Sequence, residues 1–141
     1  MTNLELFLKP NKVQKPNRFY APTKSMCDAK GKPLEWEFKH VSTKESDAIK
    51  KECTKAVPTG KYGQYRNELD ADKYMEKMIV KATVFPDLFN KELQDSYGVK
   101  TPEDLLKEMI DDPKEYNSLV EFVGELTDEK DINEKVKEAK N

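Results

Sequence analysis

The side chains able to do chemistry are few and scattered. His40 is the sole histidine, and Cys27 and Cys53, 26 residues apart, are the only cysteines. A Ser-His-Asp or Cys-His nucleophile would have to recruit His40, and no nucleophile elbow or oxyanion loop accompanies it. Two cysteines and one histidine cannot assemble the four ligands of a zinc site; the thiols read as reduced, as in a cytoplasmic protein, with a single disulfide as the alternative. Acidic pairs are plentiful: Asp70 with Asp72, Asp111 with Asp112, Asp128 with Asp131. Each stands at a helix start, where a carboxylate satisfies free backbone N–H groups and the helix dipole, worth roughly 0.5–2 kcal/mol per cap. Capping accounts for them without acid–base catalysis. Gly60-Lys61-Tyr62-Gly63 lacks the Gly-Lys-Ser/Thr ending of a phosphate loop, and Asp70-x-Asp72 does not continue into a calcium loop. The expectation is a chain that is no enzyme and takes neither cofactor nor metal.

Charge and aromatics suggest a different class. Residues 1–66 carry 14 Lys+Arg against 7 Asp+Glu, a net of +7, while residues 67–141 carry 11 against 20, a net of −9. Such polarity can steer a charged partner or another copy head to tail, or the two halves can pack together with their charges in solvent. The basic half interleaves aromatics at Arg18-Phe19-Tyr20, Trp36, Phe38, Tyr62 and Tyr65-Arg66, a pattern that can stack and clamp single-stranded nucleic acid. Its lysines are scattered, however, and Trp36 and Phe38 follow a core-facing strand phase. Nucleic acid is therefore not the expected partner.

The elements that would position a surface are punctuated clearly. Ser42-Thr43-Lys44-Glu45 is a capping box and opens a helix to about Lys55. Asp70 caps a helix through about Thr83, with Tyr74 and Met78 at i, i+4 and with Met75 and Ile79 beside them. Phe85-Pro86-Asp87 breaks that helix. Asn90, Thr101, Asp112 and Thr127 or Asp128 then cap helices at about 91–97, 102–110, 114–126 and 129–139. Thr101-Pro102-Glu103-Asp104 combines a hydroxyl cap, a proline at the first helical position and first-turn acids. Gly98 is placed as a stop after Tyr97. Leu34 to Val41 alternates, with Leu34, Trp36, Phe38 and His40 inward, the bland role for His40 being a packed or hydrogen-bonded residue. Arg18 to Ala21 reads as a short edge strand, Val57 to Gly63 as a turn or loop, and Gln64 to Leu69 as a strand that pairs back. The fold class is α+β, mostly α: a small antiparallel sheet in the N-terminal half, near residues 18–69, followed by a cluster of short helices.

At 141 residues the chain reads as one domain: a docking or extended segment 1–17, a small sheet with one helix at 18–69, and a helical part at 70–141. Hydrophobic residues make up 36% and charged residues 37%, so the core is small and a partner is expected to complete part of the apolar surface. The longest apolar runs span about three residues against the ~20 a membrane helix needs. The opening residues lack a basic-then-apolar leader, so a cytoplasmic protein without membrane association is expected. Two apolar sets are candidates for partner binding. One is the stripe Leu119, Phe122, Val123 and Leu126 with Ile132 and Val136, which can equally form the domain's own core. The other is Leu4, Leu6, Phe7 and Leu8.

The order of segments resembles the XkdN-like family of phage tail assembly chaperones. The resemblance begins with Asn3-Leu4-Glu5-Leu6-Phe7-Leu8-Lys9-Pro10-Asn11 and continues through Gly31-Lys32-Pro33-Leu34 and Ser42 to Thr54. It is strongest at Tyr74 to Asp87, passes through Glu92 to Val99, and closes with Asp131-Ile132-Asn133-Glu134 and Glu138 to Asn141. Ala56 to Leu69 matches least and reads as a variable loop. The resemblance implies a phage or prophage protein that binds the tape measure protein and keeps it soluble until tail-tube subunits polymerise around it. The tail-tube protein would be a possible second partner, and association would be reversible burial of apolar surface. A structural tail subunit or connector is the alternative, and a small nucleic-acid-binding regulator a third reading.

Overall fold

Each helix begins where a short polar side chain turns back onto the backbone. The computed structural model describes residues 3–126. The expected helix at 129–139, with Ile132, Val136 and its cap, lies outside them. Ser42 accepts from the Glu45 N–H at 3.2 Å while the Glu45 carboxylate accepts from the Ser42 N–H at 3.1 Å, and α1 runs Thr43–Cys53. Asp70 accepts from the Lys73 N–H to open α2, Ala71–Ala82. Asn90 opens α3, Lys91–Ser96, and Thr101 opens α4, Pro102–Met109. Asp112 accepts from the Lys114 N–H at 3.1 Å before α5, Pro113–Leu126. Gly98 adopts φ +69°. The Val99 N–H then bonds to the Gln94 carbonyl and the Gly98 N–H to the Asp95 carbonyl, the paired bonds that close a helix end on a left-handed residue.

The strands are short. β1 (Arg18–Tyr20), β2 (Trp36–Phe38) and β5 (Thr83–Phe85) form an antiparallel sheet in the order β1-β2-β5. β3 (Thr54–Pro58) and β4 (Tyr65–Leu69) make a separate hairpin, with Thr54 opposite Leu69 and Pro58 opposite Tyr65. Two boundaries differ from the sequence expectation. α1 stops at Cys53, and Thr54 to Pro58 is extended where a helix end and then a turn were expected. The sheet also takes its third strand from residues 83–85, beyond the expected 18–69. In both places β-branched residues (Thr54 and Val57, Thr83 and Val84) favour extended backbone where a partner strand is available.

One hydrophobic cluster joins the three-stranded sheet to the helices. α2 lies at its centre, packed on α1, α4, α5 and β5, and buries Met78, Ile79, Val80 and Ala82. Trp36 and Phe38 point inward as the alternation requires. Leu34 is 45% exposed and Val41 buried, reversing the expectation at both ends of that run. Strand pairing covers only Trp36–Phe38, with a register shift at Glu37/Phe38, so the two-residue period ends there.

Candidate partner-binding surfaces

The α5 stripe packs inward. Leu119 and Val123 have no exposed surface and Leu126 is buried. Phe122 is half-buried, its ring stacked on Tyr20 at 4.4 Å and edge-on to Phe38 at 5.3 Å. The Arg18 guanidinium lies 5.1 Å from the same ring. β1 therefore covers Phe122 from outside with an aromatic and a cation. His40 donates from Nδ1 to the Leu126 carbonyl at 3.2 Å, which fixes the proton on Nδ1 and ties the end of α5 to the chain leaving β2. Of the two roles open to this stripe, its described members take the core. Burial, with Glu115 and then Glu121 nearby, pushes the Tyr20 phenol above its ordinary value.

The N-terminal set is placed differently. Leu4, Leu6, Phe7 and Leu8 are 73%, 59%, 85% and 49% exposed. Two 3-10 turns, Glu5–Phe7 and Lys9–Asn11, hold them, and neither buries a residue. Asn11 Nδ2 donates to the Glu5 carbonyl at 2.6 Å, which folds the second turn back on the first. Four apolar side chains thus sit on a small self-braced knob, joined to β1 by the exposed residues 12–17.

A groove between α1 and α2 is lined by charges that pair with one another. Lys77 Nζ lies 3.3 Å from Glu103 and 3.6 Å from Glu52, and Lys81 Nζ lies 3.4 Å from Glu45. Burial opposes the Lys77 charge, yet Glu103 and Glu52 more than offset it and hold its pKa above the ordinary value. Cys27 is exposed and Cys53 buried, both as free thiols, and burial pushes the Cys53 thiol up. Among the described residues no three His, Cys, Asp or Glu side chains come together as metal ligands. Nor is any described helix long and apolar enough to cross a membrane.

The family described as phage XkdN-like tail assembly chaperone protein matches residues 4–140. The chain belongs to this family of phage tail assembly chaperones. It is 25% identical over 136 residues to the phage-like element PBSX protein XkdN of Bacillus subtilis (strain 168), covering 93% of this chain and 91% of that one. To the uncharacterised protein YqbN of the same strain it is 26% identical over 136 residues, with the same coverage. The crystal structure of YqbN superposes with a TM-score of 0.73 at 22% identity, over 89% of this chain and 96% of that one, which establishes a shared fold.

Several apolar side chains left uncovered were not among those singled out in the sequence. Phe19 and Phe85 are 62% and 64% exposed. They flank Glu37 across the outer face of the sheet, because Phe19 pairs with Glu37 and Glu37 with Phe85. Phe89 is 67% exposed. The β3–β4 hairpin is exposed along nearly all its length, with Tyr62 and Tyr65 outward. The available signal was Phe19 in opposite phase to Tyr20. Three-residue strands gave that phase no anchor, and Phe85 read as part of a helix break.

Proposed function

We propose that this chaperone binds the tape measure protein and holds it soluble until tail-tube subunits polymerise around it. The observation that carries this is the knob at Leu4, Leu6, Phe7 and Leu8: four apolar side chains within five residues, each 49–85% exposed, braced by their own turns. A protein whose role is to cover apolar segments of another chain must leave apolar surface of its own in water. Small exposed patches suit transient holding and release better than a large apolar interface. The chain acts as one domain in this reading, with residues 1–17 as its docking arm. The acidic half can meet basic stretches of the client, and the tail-tube protein is the natural competitor at release.

Co-expression with the tape measure protein of the same phage or prophage, followed by tagged pull-down and sizing, tests this. A soluble stoichiometric complex, weakened by Leu6→Asp/Phe7→Asp, supports it. A tape measure protein that precipitates while this chain stays alone removes the reading. Recovery of this chain in purified tails at subunit stoichiometry would favour a connector instead.

A further inference from the structure

The three-stranded sheet has two outer strands of opposite electrostatic character. β1 begins with Arg18 and follows Lys12 and Lys15, in a stretch, residues 6–27, that holds five basic residues and no acid. β5 is the other outer strand, and its free edge pairs with no described strand. Val84 and Phe85 are 40% and 64% exposed there. Beside them the chain forms a groove of about 420 Å³ with Phe85, Pro86 and Leu93 as its apolar lining. Asp87 and Glu92 are the charged residues along it, and no basic residue lines it. The loop that shapes the groove is held in place. Leu88 is 2% exposed, Gln94 Nε2 donates to the Leu88 carbonyl at 2.8 Å, and the Phe89 N–H donates to the Asp87 carboxylate at 3.0 Å. A groove shaped before binding costs little to occupy.

We infer that an extended segment of the client adds as a short fourth strand beside β5, with a large apolar side chain in the groove and lysine or arginine two positions away meeting Asp87 and Glu92. This names the kind of segment held, and so rests on the reading that the chain holds another protein. In strand addition the main chain supplies hydrogen bonds while a pocket selects alternate side chains. Successive side chains of a strand point to opposite faces, so the residue facing the groove shares its face with residues two positions to either side. The segment therefore reads basic-x-apolar-x-basic, its apolar residue lying beside Phe85 across the strands. Ligand pockets run from about 300 to 1,000 Å³, so the groove admits a phenylalanine or leucine. Charge assigns the edge: a basic segment is drawn to β5 and repelled by β1, and the net −9 of residues 67–141 acts in the same sense at longer range. β5 has only three residues, and Pro86 after it has no N–H to offer. Main-chain pairing is correspondingly short, which keeps the contact weak and releasable and blunts the edge against open-ended sheet growth.

The test is an amide NMR titration of the full chain with the end-capped peptide Lys-Val-Phe-Val-Lys, at low and high salt. Saturable shifts should centre on Val84, Phe85 and Leu93, and binding should weaken several-fold as salt rises. Replacing the central phenylalanine by alanine, or both lysines by glutamate, should abolish it. Methylating the three internal amide nitrogens should do the same, because an added strand needs its main-chain donors. On the protein, Phe85→Asp and Glu92→Lys should each weaken the wild-type peptide several-fold; both residues are exposed, and circular dichroism with thermal melts confirms that each variant folds. A peptide that gives no saturable shift overturns the inference whether or not the tape measure protein is held on co-expression, so the two readings fail separately. Shifts centred on Phe19 or on the groove between α1 and α2 overturn it as well. So does binding that ignores the lysine-to-glutamate exchange, the methylation, or both protein substitutions.

Discussion

Leu119 lies at the middle of α5 with no exposed surface, whereas Phe7 is held almost wholly in water. Leu119→Ala should therefore lower unfolding free energy by about 2–5 kcal/mol in denaturant titration, through lost burial and the cavity left behind. Phe7→Asp should leave that midpoint unchanged. The same contrast separates the two thiols: Cys27 should be alkylated at once in the native protein, and Cys53 only on unfolding, because it is buried and its thiol is pushed up. Mass spectrometry of a timed alkylation reads both. Glu45 adds a pH dependence. Acceptance of the Ser42 backbone N–H, with help from Lys81 and Lys39, holds its pKa below the ordinary 4.5 despite some burial. A depressed folded pKa gives stability that is present above the unfolded value and lost as pH falls through the folded one. Glu45→Gln keeps a capping amide but no titrating charge, so its melting temperature should fall less steeply than the wild type's below about pH 4.5. In sequence, Leu119 was readable as part of a stripe. Whether that stripe faced a partner or the core was not, since both need the same i, i+3, i+4 spacing.

Helices were the most legible elements. Ser42, Asp70, Asn90, Thr101 and Asp112 are caps in the structure as in the sequence, because a cap reaches only two or three residues along the chain. Thr101→Ala should cost about 1 kcal/mol, with faster amide exchange confined to the first turn of α4. Strands were less legible. β1, β2 and β5 have three residues each, too few for an alternating pattern to fix a phase, and Thr83–Phe85 becomes a strand only because Glu37 and Phe38 lie beside it. The end of α1 was missed for a related reason. Lys51 to Lys55 has acceptable helix propensity, and the pull on Thr54 to Pro58 comes from Tyr65 to Leu69 across the hairpin.

At the scale of the whole molecule, contacts between distant segments tie the parts together. Glu115, in the first turn of α5, accepts from the Thr23 hydroxyl and from the Lys24 N–H, each at 2.8 Å. This pins the loop after β1 to the helix 91–92 residues later. Thr23 is 2% exposed. Glu115→Ala should cost about 1–3 kcal/mol, and amide exchange at Lys24 should rise; an unchanged rate would mean that the loop is held by other contacts. The sequence by itself determined the α+β class, the helix starts of the described residues, and the likeness to tail assembly chaperones, because these rest on local hydrogen bonding and on the order of segments along the chain. Only the tertiary structure decided that the described α5 stripe is core, that Leu4 to Leu8 stays in water, and that Phe19 and Phe85 share one exposed face. Those outcomes depend on which segments meet across the fold, and spacing within a segment cannot say what will lie against it.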